Sequence, residues 1–398
     1  MRYLWLMIIP LILMINPCLS LEEPVFISGI RPLGIGGAFV AIADDQNALF
    51  YNPAGLTQIG GIITPFDLSF EVNQDSLDLL NFFMDNEEKL RDLEGLSNED
   101  REALLKKIID KVIRLRSAGT ISGPIPINYI RRISERHSVG FGIPFTKLSY
   151  SIRVKDAGFA IARINLKAYG DIIFPIAYAY RSPLPKGLSL SIPLTNMKIP
   201  ISEDISFGVS LKGIIRWLLE LNDTLLTISE FDKLAVLEGR GIALDIGLLY
   251  KVNQRTSIGL VSQDLFGTRF SWNDIETGSI IEKKEDTVVY PTMRLGISYR
   301  PAWLQRYSNI RDILFAFDVT NIFDGRTTFF NQLHFGGEIR VLRFILARFG
   351  FNQGYPSYGL GIDFPILKLD YVYYGRELGM YPGQIPEWNH MIGLAIRF

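Results

Sequence analysis

The stretch that decides the fold class is Gly241-Ile-Ala-Leu-Asp-Ile-Gly-Leu-Leu-Tyr-Lys-Val252. Every even-numbered position from Ile242 to Val252 carries a large apolar side chain, whereas Asp245, Lys251 and small residues stand among the odd-numbered positions. Successive side chains of a β-strand point to opposite faces, so this alternation predicts a strand with one apolar face and one small or charged face. The same pattern recurs in residues 292–300, 334–341 and 358–364.

Alternation through the rest of the chain predicts about fourteen strands. They span residues 61–73, 118–131, 137–152, 169–181, 204–218, 240–252, 256–265, 290–300, 312–321, 333–342, 344–352, 357–364, 366–374 and 388–398. An even strand number places both chain ends on one side of the sheet, where the connections should be short, and the longer loops on the other side. Residues 182–203 are too long for a short turn, so they are either a loop on the side of the chain ends or part of a strand.

Composition limits the classes of protein that this pattern fits. The 398 residues have a formal net charge of −1, so no basic excess indicates nucleic-acid binding. After the first twenty residues, no apolar run approaches the ~20 residues that a membrane-spanning helix needs. Alternating strands suit a soluble β-sandwich or a membrane β-barrel. The aromatic content of 12%, with 17 Tyr and 26 Phe, favours the barrel, whose outer surface is apolar and aromatic.

The first twenty residues are typical of a signal peptide. Arg2 is followed by an apolar run from Leu4 to Ile15, and a cut after Ser20 would release the mature chain. Acylation of Cys18, as in a lipoprotein, is the alternative. Because Cys18 is the only cysteine, the cleaved chain would have no disulfide, no cysteine metal ligand and no cysteine nucleophile.

The last residues form an alternating strand that ends with an aromatic side chain. Ile392, Leu394, Ile396 and Phe398 share one face. Such an ending resembles the signal read by the barrel-insertion machinery of the outer membrane. Together with the signal peptide, it predicts an all-β fold: a single antiparallel transmembrane β-barrel in a bacterial outer membrane. The lipid bilayer and the insertion machinery are the partners expected from this ending.

One segment departs from the strand pattern. Between Ser97 and Arg116, apolar residues recur at helical spacing, and Ser97 with Asp100 offers a capping box at the start. The preceding stretch, Ser76 to Leu93, could pair with it, so residues 76–116 are predicted to be a helical hairpin inserted between the first two strands. The hairpin either packs over the barrel mouth or offers a surface to a protein partner.

The segment before the first strand is small, apolar and rich in glycine. It contains Leu33-Gly-Ile-Gly-Gly-Ala-Phe-Val-Ala-Ile-Ala-Asp-Asp-Gln-Asn-Ala-Leu-Phe-Tyr-Asn-Pro-Ala-Gly-Leu56. No strand precedes the glycines and no Lys-Ser or Lys-Thr follows them, which argues against a phosphate loop. Such a segment suits packing inside a barrel. We therefore expect a signal peptide at 1–20, a plug at 21–60 and the barrel at 61–398.

This segment and the run from Leu333 to Phe364 resemble the FadL-like superfamily, the long-chain fatty-acid transporters of outer membranes. They resemble even more closely its relatives of the PorV/PorQ type, spirochaete proteins among them. The resemblance implies a barrel whose N-terminal segment folds back into the lumen as a hatch. The hatch and ligand residues would be Gly34, Gly36, Gly37, Phe39, Asn52, Pro53, Ala54 and Gly55.

The resemblance also implies a sideways exit into the membrane at a kinked third strand. In this chain the third strand has Gly140, Gly142 and Pro144 on one face. Proline removes a hydrogen bond from the strand ladder, so a kink or gap is expected there. A bulge without a role in transport is the alternative.

Charged residues on the small-residue faces are expected to point into the lumen. They include Arg294, Asp318, Glu338, Arg340, Arg348 and Asp363. Their balanced signs favour an ion-pair network that fixes the hatch, since an unpaired buried charge is costly. The alternative is that Arg340 or Arg348 binds a carboxylate headgroup.

The sequence does not predict an enzyme. His137, His334 and His390 are the only imidazoles, and no serine elbow or metal-ligand spacing accompanies them. We expect no catalytic residue, no metal and no cofactor. The leading hypothesis is passage of a hydrophobic small-molecule ligand, fatty-acid-like, gated by the hatch around Asn52-Pro53. The alternatives are a PorV-like barrel that binds exported proteins and a structural or adhesive surface protein.

Overall fold

Long β-strands dominate the computed structural model. It describes residues 29–87, 89, 97, 99–100, 102–104, 106–107, 116–155, 163–183, 189–191, 198–200, 204–224, 236–275, 279–281, 288–302, 310–322 and 328–398. The strands are β1 (Gly61–Thr64), β2 (Phe66–Asn73), β3 (Arg116–Arg132), β4 (His137–Lys155), β5 (Arg163–Pro183), β6 (Ser189–Ser191), β7 (Lys198–Pro200), β8 (Asp204–Thr224), β9 (Val236–Lys251), β10 (Thr256–Gln263), β11 (Ser271–Asp274), β12 (Ile280–Ile281), β13 (Thr292–Tyr299), β14 (Ile310–Val319), β15 (Leu333–Val341), β16 (Ile345–Asn352), β17 (Tyr355–Asp363), β18 (Leu367–Glu377) and β19 (Pro386–Ile396).

Short helices accompany the strands. They are α1 (Ile30–Gly34), α2 (Ala48–Tyr51) and α3 (Gln74–Asp85), with 3-10 helices at Pro53–Gln58 and Phe329–Gln332. Among the residues that the structure describes, no helix has the length and hydropathy needed to span a membrane.

Fourteen strands of the described chain form one closed antiparallel ring, as predicted. β1 and β2 act as a single first strand interrupted at Pro65, because both pair with β3. Each further strand of the wall pairs with the next along the chain, and β19 returns to pair with β2. The ring therefore leaves no open edge in the wall.

Two small hairpins lie outside this ring. β5 continues to Pro183 and β8 starts at Asp204, and between them β6 pairs with β7 in a separate two-stranded sheet. Of the long connection at 182–203, residues 182 and 183 thus belong to β5, and the other described residues form this hairpin. β11 pairs with β12 and also with the end of β9.

The two ends of the barrel differ. The proximal rim is the end with Phe398 and the short turns at 133–136, 252–255, 342–344 and 364–366. The distal rim is the end with α3 and the connections at 264–291, 320–332 and 378–385. Short turns therefore share one rim with the C-terminus, as the even strand number predicted.

The outer face of the wall is an apolar belt. Alternate residues of the strands are exposed and apolar, among them Ile176, Leu211, Ile242, Leu360 and Ile392. Water-soluble proteins rarely expose so large a continuous apolar surface, whereas a barrel in a lipid bilayer requires one. The belt identifies an outer-membrane barrel rather than a sandwich. Leu394 and Phe398 are also exposed, in agreement with the predicted alternation of the last strand.

The predicted helical hairpin is described only in part. Its first helix, α3, runs from Gln74 to Asp85, and the Asp100 amide donates to the Ser97 hydroxyl as expected for a helix start. The predicted end at Arg116 is wrong, because Arg116 already pairs with Arg153 in the β3–β4 ladder. Residues 108–115, the signal peptide at 1–20 and plug residues 21–28 lie outside the described residues.

Candidate functional site

Residues 29–60, here called the hatch, lie inside the barrel. Residues 32–43 and 48–57 are buried. α1 packs on β16–β18, and the 3-10 helix at Pro53–Gln58 packs on β5, β8 and β9. Phe39 and Tyr51 meet edge to face at 5.3 Å between ring centroids, within an apolar cluster shared with the wall. The hatch therefore fills the part of the lumen that these wall strands surround.

Three cross-strand glycine pairs of the wall lie directly beneath the hatch backbone. They are Gly336–Gly350 beneath Gly36, Gly259–Gly296 beneath Val40 and Ala41, and Gly208–Gly247 beneath Asn52, Pro53 and Ala54. At five of these glycines a Cβ atom would overlap a hatch atom, and at Gly296 it would overlap the Asp318 carboxylate, which itself binds the hatch. Sequence analysis missed these residues, because their pairing requires the strand register.

The glycines of the hatch satisfy a backbone requirement. Gly36 and Gly37 have φ values of +68° and +84°, a left-handed conformation that glycine adopts without strain. A Cβ atom on Gly36 would also overlap backbone atoms of Phe335 and Phe351. The Gly36 carbonyl lies 2.9 Å from His334 Nδ1. These glycines allow the chain to turn directly against β15 and β16.

Asn52 joins the two halves of the hatch to the wall. It is fully buried, its Nδ2 donates to the carbonyls of Val40 at 2.9 Å and Leu248 at 3.1 Å, and its Oδ1 accepts from the Ala54 amide at 3.1 Å. A Cβ atom on Gly55 would overlap the Ala43 carbonyl. The Asn52-Pro53-Ala54-Gly55 motif thus holds the two parts of the hatch together and attaches them to the wall.

Arg31 connects the hatch to the wall through ion pairs. Its guanidinium donates to both carboxylate oxygens of Glu338 at 3.0 Å and also contacts Asp44 at 2.6 Å and Asp45 at 2.8 Å. Burial disfavours the charge, but Asp44, Glu338 and Asp45 outweigh it and hold the pKa of Arg31 well above its ordinary value. Burial likewise opposes ionisation of Asp45, yet Arg31 and Lys368 lower its pKa.

The ion pairs continue along the wall. Glu338 accepts from Arg348 Nε at 2.7 Å, and Arg348 Nη1 donates to Asp370 at 2.7 Å. The Arg348 side chain is completely buried between these two carboxylates, so it is not placed to meet a ligand headgroup. Arg340 is partly exposed at the proximal rim and pairs with Asp363 at 3.0 Å.

Asp318 holds the middle of the hatch. Its buried Oδ2 accepts from the amides of Phe39 at 2.7 Å and Val40 at 2.9 Å. Arg294 lies on the lumen face of the neighbouring strand β13, together with Gly296. Of the sequence-predicted lumen charges, Glu338 and Asp318 thus contact the hatch directly, and Arg348 acts through Glu338.

Described residues of the connection at 264–291 lie in the distal part of the lumen. Trp272 is buried against Gly239 of β9, and the amide of Thr268 donates to the Val289 carbonyl at 2.8 Å. Arg216 lies between the rings of Tyr169 and Phe270, 5.1 Å from each centroid. These side chains occupy part of the distal lumen.

A cavity of about 60 Å³ remains between the hatch and strands β2, β3, β18 and β19. Its polar lining includes Asp67, Ser122, Asn128, Lys368 and Asp370. This volume suits a few water molecules, whereas pockets for small organic ligands measure roughly 300–1,000 Å³. The cavity is therefore not a hydrophobic ligand pocket.

The ladder is irregular on both sides of the third wall strand, β4. Its register with β3 shifts between Pro124 and Ile127, and its register with β5 shifts between Phe141 and Phe145. Pairing resumes above and below each shift. Gly142 and Pro144 thus lie in a β-bulge, and Gly140 lies just proximal to it, packed against the hatch residue Leu49.

Comparison with known proteins identifies the fold. In sequence, the chain matches no family model and no curated protein. In structure, it is similar to the TodX deltaS2S3 mutant monoaromatic hydrocarbon channel, with a TM-score of 0.52 and 10% identity over 93% of this chain and 98% of that chain. It is also similar to the Ralstonia pickettii toluene transporter TbuX, with a TM-score of 0.50 and 12% identity over 93% and 98%.

The TodX deltaS2 mutant channel gives a TM-score of 0.51 at 11% identity, over 93% of this chain and 97% of that chain. At such identities the likeness establishes the fold alone. These proteins are named as channels or transporters. The resemblance to PorV/PorQ-type proteins stays a prediction. The chain has the barrel fold of these hydrocarbon channels.

Proposed function

We propose that the chain is an outer-membrane channel for hydrophobic small molecules such as long-chain fatty acids, and that displacement of the hatch opens it. One observation carries the proposal: a single continuous segment, residues 29–60, fills the lumen and is held there by noncovalent contacts. Displacement of this segment would open the proximal half of the barrel without breaking the wall. The shared fold with hydrocarbon channels supports a hydrophobic substrate.

The distal rim supports capture of such a substrate. Phe266, Phe329, Phe330 and Tyr381 are exposed there. The two loops that carry the last three are joined, because Asn331 Nδ2 donates to the Met380 carbonyl at 3.2 Å. An apolar patch fixed at the rim would retain a hydrophobic molecule before it enters the lumen.

The bulge of β4 is our candidate for the exit. Register shifts on both sides of Gly142 and Pro144 reduce the number of ladder bonds at this point of the wall. Gly140 contacts the hatch residue Leu49, so movement of the hatch would change the packing beside the bulge. We propose that substrate leaves sideways into the bilayer at this site.

A reversible disulfide between the hatch and β17 tests the gating. A Cβ atom on Gly34 would lie 3.6 Å from the Gly359 Cα, and one on Gly359 would lie 3.3 Å from the Gly34 Cα, so the two backbones are in contact. A disulfide between cysteines at these positions requires a small outward shift of the hatch. In proteoliposomes, Gly34→Cys/Gly359→Cys should block uptake of a fluorescent fatty acid when oxidised and restore it after reduction. Each single cysteine variant is the control, because it contains the same crowding against Arg348 without the cross-link. Equal uptake in both redox states would contradict hatch gating.

The second candidate function is binding of exported proteins at the surface, as in PorV-like barrels. A filled lumen beneath an apolar distal rim favours it, because a binding scaffold needs no open path. Native mass spectrometry of the refolded barrel after exposure to a lipid extract separates the two functions. A retained fatty acid supports transport, whereas an empty barrel with no uptake in either redox state supports protein binding.

A further inference from the structure

Helix α3 is amphipathic, and its apolar face stays exposed among the residues that the structure describes. Leu80, Phe83 and Met84 lie on one face and are 54%, 43% and 64% exposed. The opposite face carries Asp78 and Asp85, and the helix contains no lysine or arginine. An apolar face of this kind normally packs against a core. Here none of its side chains is buried by the residues that the structure describes.

The helix starts on the lipid side of the wall. Asn73, the last residue of β2, caps it by accepting from the Ser76 amide at 3.0 Å. The next residue, Gln74, accepts a hydrogen bond from His390 Nε2 at 2.8 Å. His390 shares the outward face of β19 with Ile392 and Leu394. Gln74 therefore extends the lipid-facing side of the barrel and not the lumen side.

Aromatic side chains mark the membrane level at which this occurs. Tyr373 stacks on Trp388 with ring centroids 5.4 Å apart, and the Tyr371 hydroxyl bonds His390 Nδ1 at 2.7 Å. All four residues are on the outward face. Tyr373, His390 and Trp388 lie distal to Ile392 and Leu394, and Tyr371 is level with Ile392. Aromatic girdles of this kind lie at the boundary between hydrocarbon and headgroups in membrane barrels. The first turn of α3 is bonded to this girdle.

We propose that α3 lies in the outer-leaflet interface, with Leu80, Phe83 and Met84 inserted among the lipids and the acidic face in water. The apolar face continues the lipid-facing belt, which makes lipid the occupant. Interfacial helices usually add basic residues that attract anionic lipids. α3 has none, so its insertion depends on apolar contact and does not require anionic headgroups. The proposal is independent of what the barrel transports.

Depth-dependent quenching tests this placement. The full barrel is labelled with an environment-sensitive dye at Leu80→Cys or Met84→Cys and reconstituted into phosphatidylcholine vesicles. If the protein is produced with residues 1–20, Cys18 is first replaced. The matched controls are Asn81→Cys and Asp85→Cys on the polar face. Heat-modifiable migration on a gel shows that each variant is a folded barrel.

Spin-labelled lipid with its quencher near the headgroup should quench the dyes at 80 and 84 several-fold more than those at 81 and 85. Iodide in the water should show the reverse order, and added salt or anionic lipid should change neither. Equal iodide quenching at all four positions would place the helix in water and overturn the proposal. Protection from both quenchers at 80 and 84 would also overturn it, because protein would then cover the face.

Discussion

Different interactions hold the two halves of the hatch in the barrel. Residues 29–45 contain Arg31, Asp44 and Asp45, and Arg31 connects them to Glu338 of the wall. Residues 46–60 contain no Asp, Glu, Lys or Arg and make no ion pair of their own. They are held by hydrogen bonds, among them those from Arg132 and Arg181 to the Thr57 carbonyl, and by backbone contact with Gly208 and Gly247. Ion pairs respond to charge and pH, whereas close backbone contact responds to the size of one side chain. The halves should therefore loosen under different perturbations.

The largest effect is expected from Arg31→Ala. This change removes the cation that Glu338, Asp44 and Asp45 share, although Glu338 keeps Arg348 and Asp44 keeps Arg300. Leaving a buried charge unpaired costs about 3–5 kcal/mol, which is the upper bound here. Hydrogen exchange by mass spectrometry should rise across 29–45 and remain near the parent level across 46–60. Arg240→Ala, which removes an exposed pair with Glu238, is the control and should change neither half. An equal rise in both halves would show that the hatch moves as one unit.

Gly208→Val should act on the other half. The added side chain would overlap Pro53 and Ala54, and overpacking of this kind costs about 1–3 kcal/mol. Exchange should rise in 46–60 more than in 29–45. Gly213→Val on the same strand is the matched control, because a Cβ atom there meets nothing within 4 Å. If Gly208→Val leaves exchange in 46–60 unchanged, the wall glycines do not determine the docking of the hatch.

Asn52→Ala should weaken both halves together. It removes the donor to the Val40 and Leu248 carbonyls and the acceptor of the Ala54 amide, and unsatisfied buried groups cost about 1–3 kcal/mol. Exchange should rise at Val40 and at Ala54 alike. Asn253→Ala in an exposed proximal turn provides the same substitution without a hatch contact. A response confined to 46–60 would mean that Asn52 does not join the halves.

The smallest effect concerns pH. The pKa of Asp45 is lowered in the docked hatch, so docking gains stability above the ordinary aspartate pKa of about 3.9 and loses it as the pH falls through the lower docked value. Near neutral pH, residues 29–45 should stay docked. Exchange across 29–45 should rise below about pH 4 before that across 46–60. The same acid titration of Asp45→Asn should lack the part of the rise that comes from Asp45.

Much of the barrel was predictable because its signal is local. Strand alternation has a period of two, and a lipid-facing residue must be apolar whatever its neighbours are. The fourteen predicted strands, the lumen side of Asp318 and Glu338 and the rim of the short turns follow from this pattern alone. The helix boundary at Arg116 was mispredicted because pairing with Arg153, which is not local, extends β3.

The sequence by itself determined a closed apolar-outside barrel with a small, glycine-rich segment ahead of it. Tertiary structure alone decided where that segment binds. Gly208 lies opposite Gly247 only because of the strand register, and Arg31 meets Glu338 only because the chain folds back on itself. Such contacts join residues that are distant in sequence, so no local pattern encodes them. Each strand's own sequence determines its alternation, whereas the strand register and the docking of the hatch depend on the whole ring.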